Sequence, residues 1–334
     1  MQSPLNLTIE NWKEALPDHP KFRGEQIFSW LNKGVTFEEM SNLPKSLRDE
    51  LIANFKEPFP TLAKKQVSKD GTIKYLWRLS DGETIESVAM TYNFGISACL
   101  STQVGCKMNC AFCATAKCGF TRNLDSSEIL GQLLAMGRDL GQMPSRVTLM
   151  GMGEPLDNWE NVHKFLQLAH EPKGLNMSYR STSISTCGLR EGLQKLREAK
   201  LPITLSISLH APDNETRSKL MPANKSLSVE ELISFCKTYY DELCRRICIE
   251  YVMMDGVSDH EWQARQLAKL LSKLNCYVNL IGYNEVDSLE FKTSSQCSIK
   301  KFAEILSSCG VTVTVRRKLG SDIKAACGQL RAAE

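Results

Sequence analysis

Three cysteines within eight residues, Cys106, Cys110 and Cys113, form a C-x3-C-x2-C pattern. Such a loop can wrap three thiolates around one iron–sulfur cluster. A cubane cluster needs four ligands, so three cysteines leave one iron open to a group that is not protein. A structural zinc site with a distant fourth ligand, or three unrelated thiols, is the alternative. No second Cys-x-x-Cys or His pair follows, although zinc sites usually show one, so the spacing favours an open [4Fe-4S] cluster.

Two further thiols lie where redox chemistry is plausible from the sequence. Cys99 precedes the cysteine loop by seven residues, and Cys327 stands seven residues from the C-terminus between two small residues. Basic residues just before Cys327 suit a nucleophilic sulfur. In a long chain, two thiols near one reactive centre indicate a transient disulfide rather than a structural one. We interpret the other cysteines as fillers or surface thiols, with Cys118 the closest of them to the loop.

Composition limits the class of protein. The 334 residues are 42% hydrophobic and 24% charged, which is ordinary for a globular protein. The sequence has no long apolar run and no basic-then-apolar N-terminal signal, which predicts a cytoplasmic protein without a membrane segment. The net charge of +3 is too small to indicate nucleic acid by itself. Lys107, Lys117 and Arg122 surround the cysteine loop, however, and suit a phosphate backbone.

Four regions are predicted along the chain. Residues 1–57 have helical periodicity and end near two prolines, so we interpret them as a small helical accessory domain. Residues 58–95 carry turn dipeptides and alternating runs, which predict a β-rich extension with strands at 72–79 and 83–92. Residues 96–318 alternate strand and helix patterns, and residues 319–334 form a C-terminal tail.

The alternating region predicts an α/β fold built on a parallel sheet. Six strand–helix units indicate a partial (β/α)6 barrel, because a closed barrel of this type needs eight. The chemistry of such barrels lies at the C-terminal ends of the strands, which is where the polar motifs of this sequence fall. The predicted strands span 96–103, 146–150, 182–186, 204–209, 249–254 and 277–283.

The motifs together resemble a known family. The cysteine pattern resembles the radical S-adenosylmethionine (SAM) superfamily. The strings Cys99-Leu-Ser-Thr-Gln-Val-Gly-Cys106 and Ala325-Ala-Cys327-Gly-Gln-Leu330 are similar to the RlmN/Cfr family of RNA adenosine methyltransferases. The resemblance covers nearly the whole chain, and Val104 and Pro155 resemble the RlmN branch. It implies one [4Fe-4S] cluster, bound by three cysteines and SAM, and two SAM molecules per turnover.

The resemblance also implies which residues hold SAM. Gly153 and Glu154, in a glycine-rich turn after the second strand, correspond to the site of its charged amine. Polar groups at later strand ends correspond to the sites of its carboxylate and ribose. His210 alone would more often be a strand-end histidine bonded within the protein, so we assign it binding only. These later positions are Ser185, Ser208, Leu209, His210 and Asn284.

A mechanism follows from the resemblance. Cys327 would accept a methyl group from one SAM, and a 5′-deoxyadenosyl radical from a second SAM would remove hydrogen from that methyl. The resulting radical would add to a ring carbon of adenine. Glu86 would accept the ring proton, and Cys99 would release the product by forming a disulfide with Cys327. Period-two alternation places Glu86 beside Val88 and Met90, although a solvent-facing strand-edge glutamate fits the pattern too.

Substrates and partners are implied in the same way. The RlmN branch methylates C2 of adenosine in 23S rRNA, at the peptidyl transferase centre, and in tRNA next to the anticodon. The alternatives are a Cfr-like C8 methyltransferase that gives antibiotic resistance, a radical SAM enzyme with another substrate, and a non-catalytic RNA-binding metalloprotein. The resemblance further implies an external one-electron donor such as flavodoxin and a monomeric enzyme.

Overall fold

A computed structural model describes residues 1–331 of the chain, so the last three residues of the predicted tail lie outside the described part. Its main feature is a ten-stranded sheet in the order β1-β2-β3-β4-β7-β8-β9-β10-β11-β12. A separate hairpin pairs β5 with β6. The strands are β1 (Thr61–Val67), β2 (Ile73–Arg78), β3 (Thr84–Tyr92), β4 (Gly95–Cys99), β5 (Gln103–Gly105), β6 (Phe120–Asn123), β7 (Arg146–Leu149), β8 (Thr182–Thr186), β9 (Thr204–Ser208), β10 (Ile247–Met253), β11 (Cys276–Gly282) and β12 (Thr312–Val315).

Helices flank this sheet. Three of them precede the first strand, one short helix follows the cysteine loop, and the others connect the parallel strands. The helices are α1 (Ile9–Ala15), α2 (Phe22–Leu31), α3 (Lys45–Asn54), α4 (Ala114–Lys117), α5 (Ser126–Leu140), α6 (Trp159–His170), α7 (Arg190–Ala199), α8 (Asn214–Leu220), α9 (Val229–Leu243), α10 (Glu261–Leu271) and α11 (Gln296–Ser308). Among residues 1–331, none of these helices has the length and apolar character needed to cross a membrane.

The predicted α/β fold with a parallel sheet is confirmed, with two additions. β4 and β7 to β12 run parallel, so the parallel part has seven strands where the sequence predicted six. The extra strand, β12, is short and largely exposed at the sheet edge. β1 was also not predicted, because its residues are almost all exposed and lack the alternation of a half-buried strand. It pairs antiparallel with β2 at the opposite edge.

The sheet curls so that its two ends approach each other. Val88 on β3 and Arg316, just after β12, line the same cavity although they lie near opposite ends of the strand order. The tail bridges the remaining gap, because Gly320 N–H donates to Asp70 Oδ2 at 2.8 Å in the β1–β2 turn. Ser68 Oγ also donates to Asp322 Oδ1 at 2.5 Å. The barrel is therefore closed by the tail rather than by a further strand.

Local sequence signals determine where α5 begins and ends. α5 begins after Asp125, whose carboxylate accepts hydrogen bonds from the N–H groups of Ser127 and Glu128. It ends at Gly141, whose φ of 70° suits glycine better than other residues. The segment between α2 and α3 contacts this helix, since Arg138 makes a bidentate pair with Glu39 at 2.6 and 2.7 Å.

Candidate active site

The cysteine loop is held by backbone hydrogen bonds at the C-terminal end of the sheet. Cys106 N–H donates to Gly119 O at 2.7 Å, which closes the β5–β6 hairpin behind the loop. Gly105 has a φ of 75°, and a Cβ there would lie 2.0 Å from Gly119 O, so only glycine fits. Cys106, Cys110 and Cys113 line one cavity. The three predicted cluster ligands are thus brought together around a common space.

The three thiols can be compared with the ligand sets of zinc and of an iron–sulfur cluster. Within residues 1–331, no three His, Cys, Asp or Glu side chains converge on a site that could hold one metal ion. Zinc would require sulfurs about 2.3 Å from a common centre. A cubane spreads its cysteine ligands over separate irons. Three thiolates are a donor set that such a cluster accepts, with one iron left open.

The glycine-rich turn after β7 brings a buried carboxylate to the same cavity. Glu154 is almost fully buried, and its carboxylate accepts hydrogen bonds from Leu156 N–H at 3.0 Å and Cys187 N–H at 2.8 Å. Burial raises the pKa of Glu154, and hydrogen bonds from Cys187 and Leu156 offset this only in part. Gly153 has a φ of 100°, and a Cβ at this position would lie 2.5 Å from Gln103 Cβ. A ligand ammonium beside Glu154 would favour its charged form.

The ends of β8 and β9 contribute hydroxyl and imidazole groups. Ser185 Oγ and Ser208 Oγ lie 3.2 Å apart, and both residues line the cavity. His210 also lines it, in the left-handed region at a φ of 60°, and its Nδ1 accepts a hydrogen bond from Val252 N–H at 3.2 Å. Burial lowers the pKa of His210 to about 3, so its ring is neutral. Leu209 is buried away from the cavity lining.

A buried arginine, which the sequence did not single out, fixes these strand ends. Arg217 on α8 is 0% exposed and donates to Cys187 O at 2.6 Å and Leu209 O at 3.2 Å. Its remaining donor group reaches Asn224 Oδ1 at 2.8 Å. Because these acceptors follow β8 and β9, the guanidinium joins two strand ends that line the cavity. The only sequence signal was a cation within an otherwise ordinary helix.

Asn284 connects the cavity with the tail. Its Nδ2 donates to the backbone carbonyl of Cys327 at 3.1 Å, while its buried Oδ1 has no hydrogen-bond partner in the described part of the chain. A buried amide oxygen without a partner is costly. Because Asn284 lines the cavity, a ligand that donates a hydrogen bond to Oδ1 would remove this cost. The amide is therefore suited to hold both a ligand and the tail.

The two predicted redox thiols, Cys99 and Cys327, line a second cavity that shares several lining residues with the first. We call these two adjoining cavities the first and the second chamber. Cys327 lines both chambers, whereas Cys99 lines only the second. Cys99 is fully buried, and burial raises its pKa to about 12, so it is a protonated thiol near neutral pH. Arg316 lines both chambers beside Cys327, and its Nη1 lies 4.0 Å from Glu250 Oε2. Cys327 thus stands at the junction between the cluster loop and Cys99.

Glu86 lies behind the tail rather than on the cavity lining. The alternative that Glu86 is a strand-edge glutamate facing solvent is wrong, because the residue is 3% exposed. Its neighbours are not only apolar, however: Lys74 Nζ lies 2.9 Å from Glu86 Oε1. The other oxygen, Oε2, accepts a hydrogen bond from Arg331 N–H at 2.9 Å. Both carboxylate oxygens are therefore engaged, one of them by the tail.

Backbone groups of the tail are bonded across the short helix that follows the cysteine loop. Ala114 N–H donates to Gly328 O at 2.7 Å, and Thr115 Oγ1 donates to Leu330 O at 2.6 Å. Cys118 Sγ donates to the next carbonyl of the tail at 3.1 Å. Cys118 therefore contacts the tail rather than the cavity. These bonds hold Cys327 over the cysteine loop.

Comparison with known proteins gives consistent matches. A family model described as the radical SAM superfamily matches residues 100–268. A probable dual-specificity RNA methyltransferase RlmN of Alkaliphilus oremlandii is 46% identical, covering 98% of this chain and 96% of its own length. One of Clostridium tetani is 44% identical over 98% and 95%, respectively. The crystal structure of a radical SAM methyltransferase from Sphaerobacter thermophilus matches with a TM-score of 0.97 and 38% identity over 100% of both chains.

Proposed function

The chain belongs to the RlmN family of radical SAM RNA methyltransferases, and from this membership we propose that it methylates C2 of an adenosine. The substrates are 23S rRNA, at the peptidyl transferase centre, and tRNA next to the anticodon. The observation that carries the proposal is the position of Cys327, which lines one chamber with the cluster cysteines and another with Cys99. A residue that carries the methyl group must reach the cluster cysteines, where SAM would bind, and Cys99, which would release the product.

The cavity suits the cofactors of such an enzyme. Cys106, Cys110 and Cys113 would hold one [4Fe-4S] cluster, with SAM as the ligand of its open iron. Glu154 would bind the amine of SAM, since a positive charge favours the ionised form of a carboxylate whose pKa burial has raised. Ser185 Oγ, Ser208 Oγ, the ring of His210 and Asn284 Oδ1 are the further polar groups in reach. When bound, the cluster and two SAM molecules per turnover supply the methyl group and the radical chemistry.

The chain's own residues have three tasks in this reaction. Cys327 accepts the methyl group on its sulfur and presents it to the adenine. Glu86 accepts the proton that leaves the ring carbon, and its burial keeps competing water away. Cys99 then gives up its thiol proton and attacks the sulfur of Cys327. The disulfide forms, the bond from that sulfur to the transferred carbon breaks, and its electron pair stays with the product, which takes up a proton. An external one-electron donor such as flavodoxin supplies the electrons, and two of them, with two protons, reopen the disulfide.

RNA reaches the cavity from outside the barrel. The target base must leave its stack, since the reacting carbon is inaccessible within a helix. Exposed cations near the cysteine loop and after β12, such as Lys117 and Arg317, suit phosphate groups. Residues 1–57, as an accessory domain beside α5, would hold the folded RNA. The RNA substrates place the enzyme in the cytoplasm, where we expect it to act as a monomer.

One experiment tests the proposal. The cluster is reconstituted without oxygen, and the protein is incubated with methyl-labelled SAM, a strong reductant and either rRNA or tRNA. Digested nucleosides are identified by mass spectrometry for the wild type, Cys327→Ala and the control Cys309→Ala, which removes an exposed thiol. We expect 2-methyladenosine from the wild type and the control, and none from Cys327→Ala.

The other outcomes separate the alternatives. 8-Methyladenosine would reassign the enzyme to the C8 reaction. SAM cleavage without a methylated adenosine would indicate a different radical substrate, and a colourless protein without SAM cleavage would indicate a non-catalytic metalloprotein. In Cys99→Ala we expect RNA to remain covalently attached to Cys327, because the thiol that releases it is missing. Free methylated RNA at the wild-type rate would contradict that role for Cys99.

A further inference from the structure

The tail that carries Cys327 is held on both sides of that residue by one buried ion pair. Lys74 Nζ donates to the backbone carbonyl of Lys324 at 3.3 Å, three residues before Cys327. Glu86 Oε2 accepts from the backbone N–H of Arg331 at 2.9 Å, four residues after it. Lys74 and Glu86 contact each other at 2.9 Å. The pair therefore spans the tail segment around the reactive sulfur.

Local strand pairing does not explain why a lysine is buried here. Lys74 on β2 stands opposite Val88 on β3, and its side chain is only 10% exposed. Burying a charge is unfavourable unless it is paired and bonded. The ammonium has two acceptors in the structure, Glu86 and the carbonyl of Lys324. Half of its bonding is therefore directed at the tail.

We infer that Lys74 is a positioning residue: it orients Glu86, and the two side chains together hold the tail that carries Cys327. We call their two contacts with the tail, Lys74 to Lys324 and Glu86 to Arg331, the clasp. This inference rests on the proposed function for its role in the reaction, but the clasp itself does not. In the clasped state the tail N–H occupies one acceptor site of Glu86 Oε2, which a substrate proton would otherwise use. Release of Arg331 frees the oxygen while Lys74 still holds the other one. The same carboxylate first holds the tail through Arg331 and then accepts the proton of the substrate.

The clasp makes a prediction about the reactivity of Cys327 without any substrate. Breaking it should let the tail leave the cavity and expose the thiol. The readout is the rate at which iodoacetamide alkylates Cys327 in anaerobically reconstituted protein without SAM, followed by peptide mass spectrometry. The exposed Cys309 in the same sample is the internal standard.

Four variants separate the clasp from general damage. Lys74→Met removes the ammonium, and Lys74→Arg keeps a cation. Arg331→Pro removes the tail N–H that Glu86 accepts, whereas Arg331→Ala removes the side chain and keeps that N–H. We expect Lys74→Met and Arg331→Pro to speed alkylation roughly tenfold or more, the effect of losing a hydrogen bond to a charged group. Lys74→Arg and Arg331→Ala should stay within about twofold of the wild type on the same basis.

Each outcome bears on the inference. If Cys327 is alkylated at the same rate in Arg331→Pro and in Arg331→Ala, the hydrogen bond to Glu86 does not hold the tail, and the inference is wrong. If Lys74→Met slows methyl transfer but leaves alkylation unchanged, Lys74 acts on Glu86 alone. Should Lys74→Met fail to fold, the two Arg331 variants still decide the matter, because they alter only the end of the chain. A protein that makes no methyladenosine would overturn the proposed function and leave the alkylation result intact.

Discussion

Lys74 Nζ and Glu86 Oε1 lie 2.9 Å apart, with side chains 10% and 4% exposed. An ion pair this far from water is held by its geometry and its further hydrogen bonds, since desolvation opposes it. The pair brings adjacent strands β2 and β3 into contact with a tail that follows them by about 250 residues. It also fixes the orientation of the Glu86 carboxylate through one neighbouring lysine.

The first prediction concerns the stability of this pair. Lys74→Met leaves the Glu86 charge buried without its partner, which should lower the free energy of unfolding by about 3 to 5 kcal/mol. Lys74→Met combined with Glu86→Leu removes both charges and should cost less than the single change. Urea unfolding measures both, with Lys64→Met on the exposed strand β1 as the control. A double variant as unstable as the single one would show that packing rather than charge is responsible.

The second prediction concerns pH. Burial lowers the pKa of His210 to about 3, whereas the imidazole in the unfolded chain has its ordinary pKa of 6.5. Between these values the unfolded state binds a proton that the folded state does not, so stability falls as pH falls through this window. At pH 5.0 the loss from His210 should be about 2 kcal/mol relative to pH 7.5.

This pH effect is measured by urea unfolding of cluster-free protein at both pH values. His210→Gln lacks the titrating group and should lose about 2 kcal/mol less than the wild type over the same interval. The partly exposed His19 gives the control, since His19→Gln removes a histidine that pairs with Glu50 near the surface. If His210→Gln loses as much stability as the wild type, another group causes the acid sensitivity.

The third prediction concerns the glycine-rich turn. Gly153→Ala would place a Cβ 2.5 Å from Gln103 Cβ and would also strain a φ of 100°. Gly82→Ala strains a similar φ of 90° at a position with no atoms within 4 Å, so it measures the free-energy cost of the backbone strain alone. We expect Gly153→Ala to cost about 1 to 3 kcal/mol more than Gly82→Ala, from overpacking. It should also weaken SAM binding in equilibrium dialysis, whereas Gly82→Ala should not. Equal effects of the two changes would contradict a packed turn.

The fourth prediction concerns iron. Cys110→Ala removes one cluster ligand, so anaerobic reconstitution should yield far fewer than the about four irons of a complete cluster. Iron analysis and the visible absorption of the protein measure this loss. Cys118→Ala removes the nearby thiol that contacts the tail and should retain full iron content. Iron loss in Cys118→Ala comparable to that in Cys110→Ala would mean that the ligand set is misassigned.

Local patterns in the sequence were enough for the parts of the molecule that depend on local structure. The spacing of Cys106, Cys110 and Cys113 requires only a short loop, and the structure gathers these thiols at one cavity. Strand periodicity likewise predicted six of the seven parallel strands, within a few residues at each boundary. Side chains that directly follow parallel strands, such as Ser185 and Ser208, meet because those strand ends share one edge. Short-range geometry determines all of these features.

The tertiary structure alone decided the contacts that join distant parts of the chain. The bond from Arg331 to Glu86 spans 245 residues, and that from Lys74 to Lys324 spans 250. Arg217 joins two strand ends from a helix whose sequence shows no sign of burial. The physical reason is that periodicity and residue spacing report which side of an element is buried, not which distant groups meet there. A buried charge finds its partner only when the folded chain brings the two together.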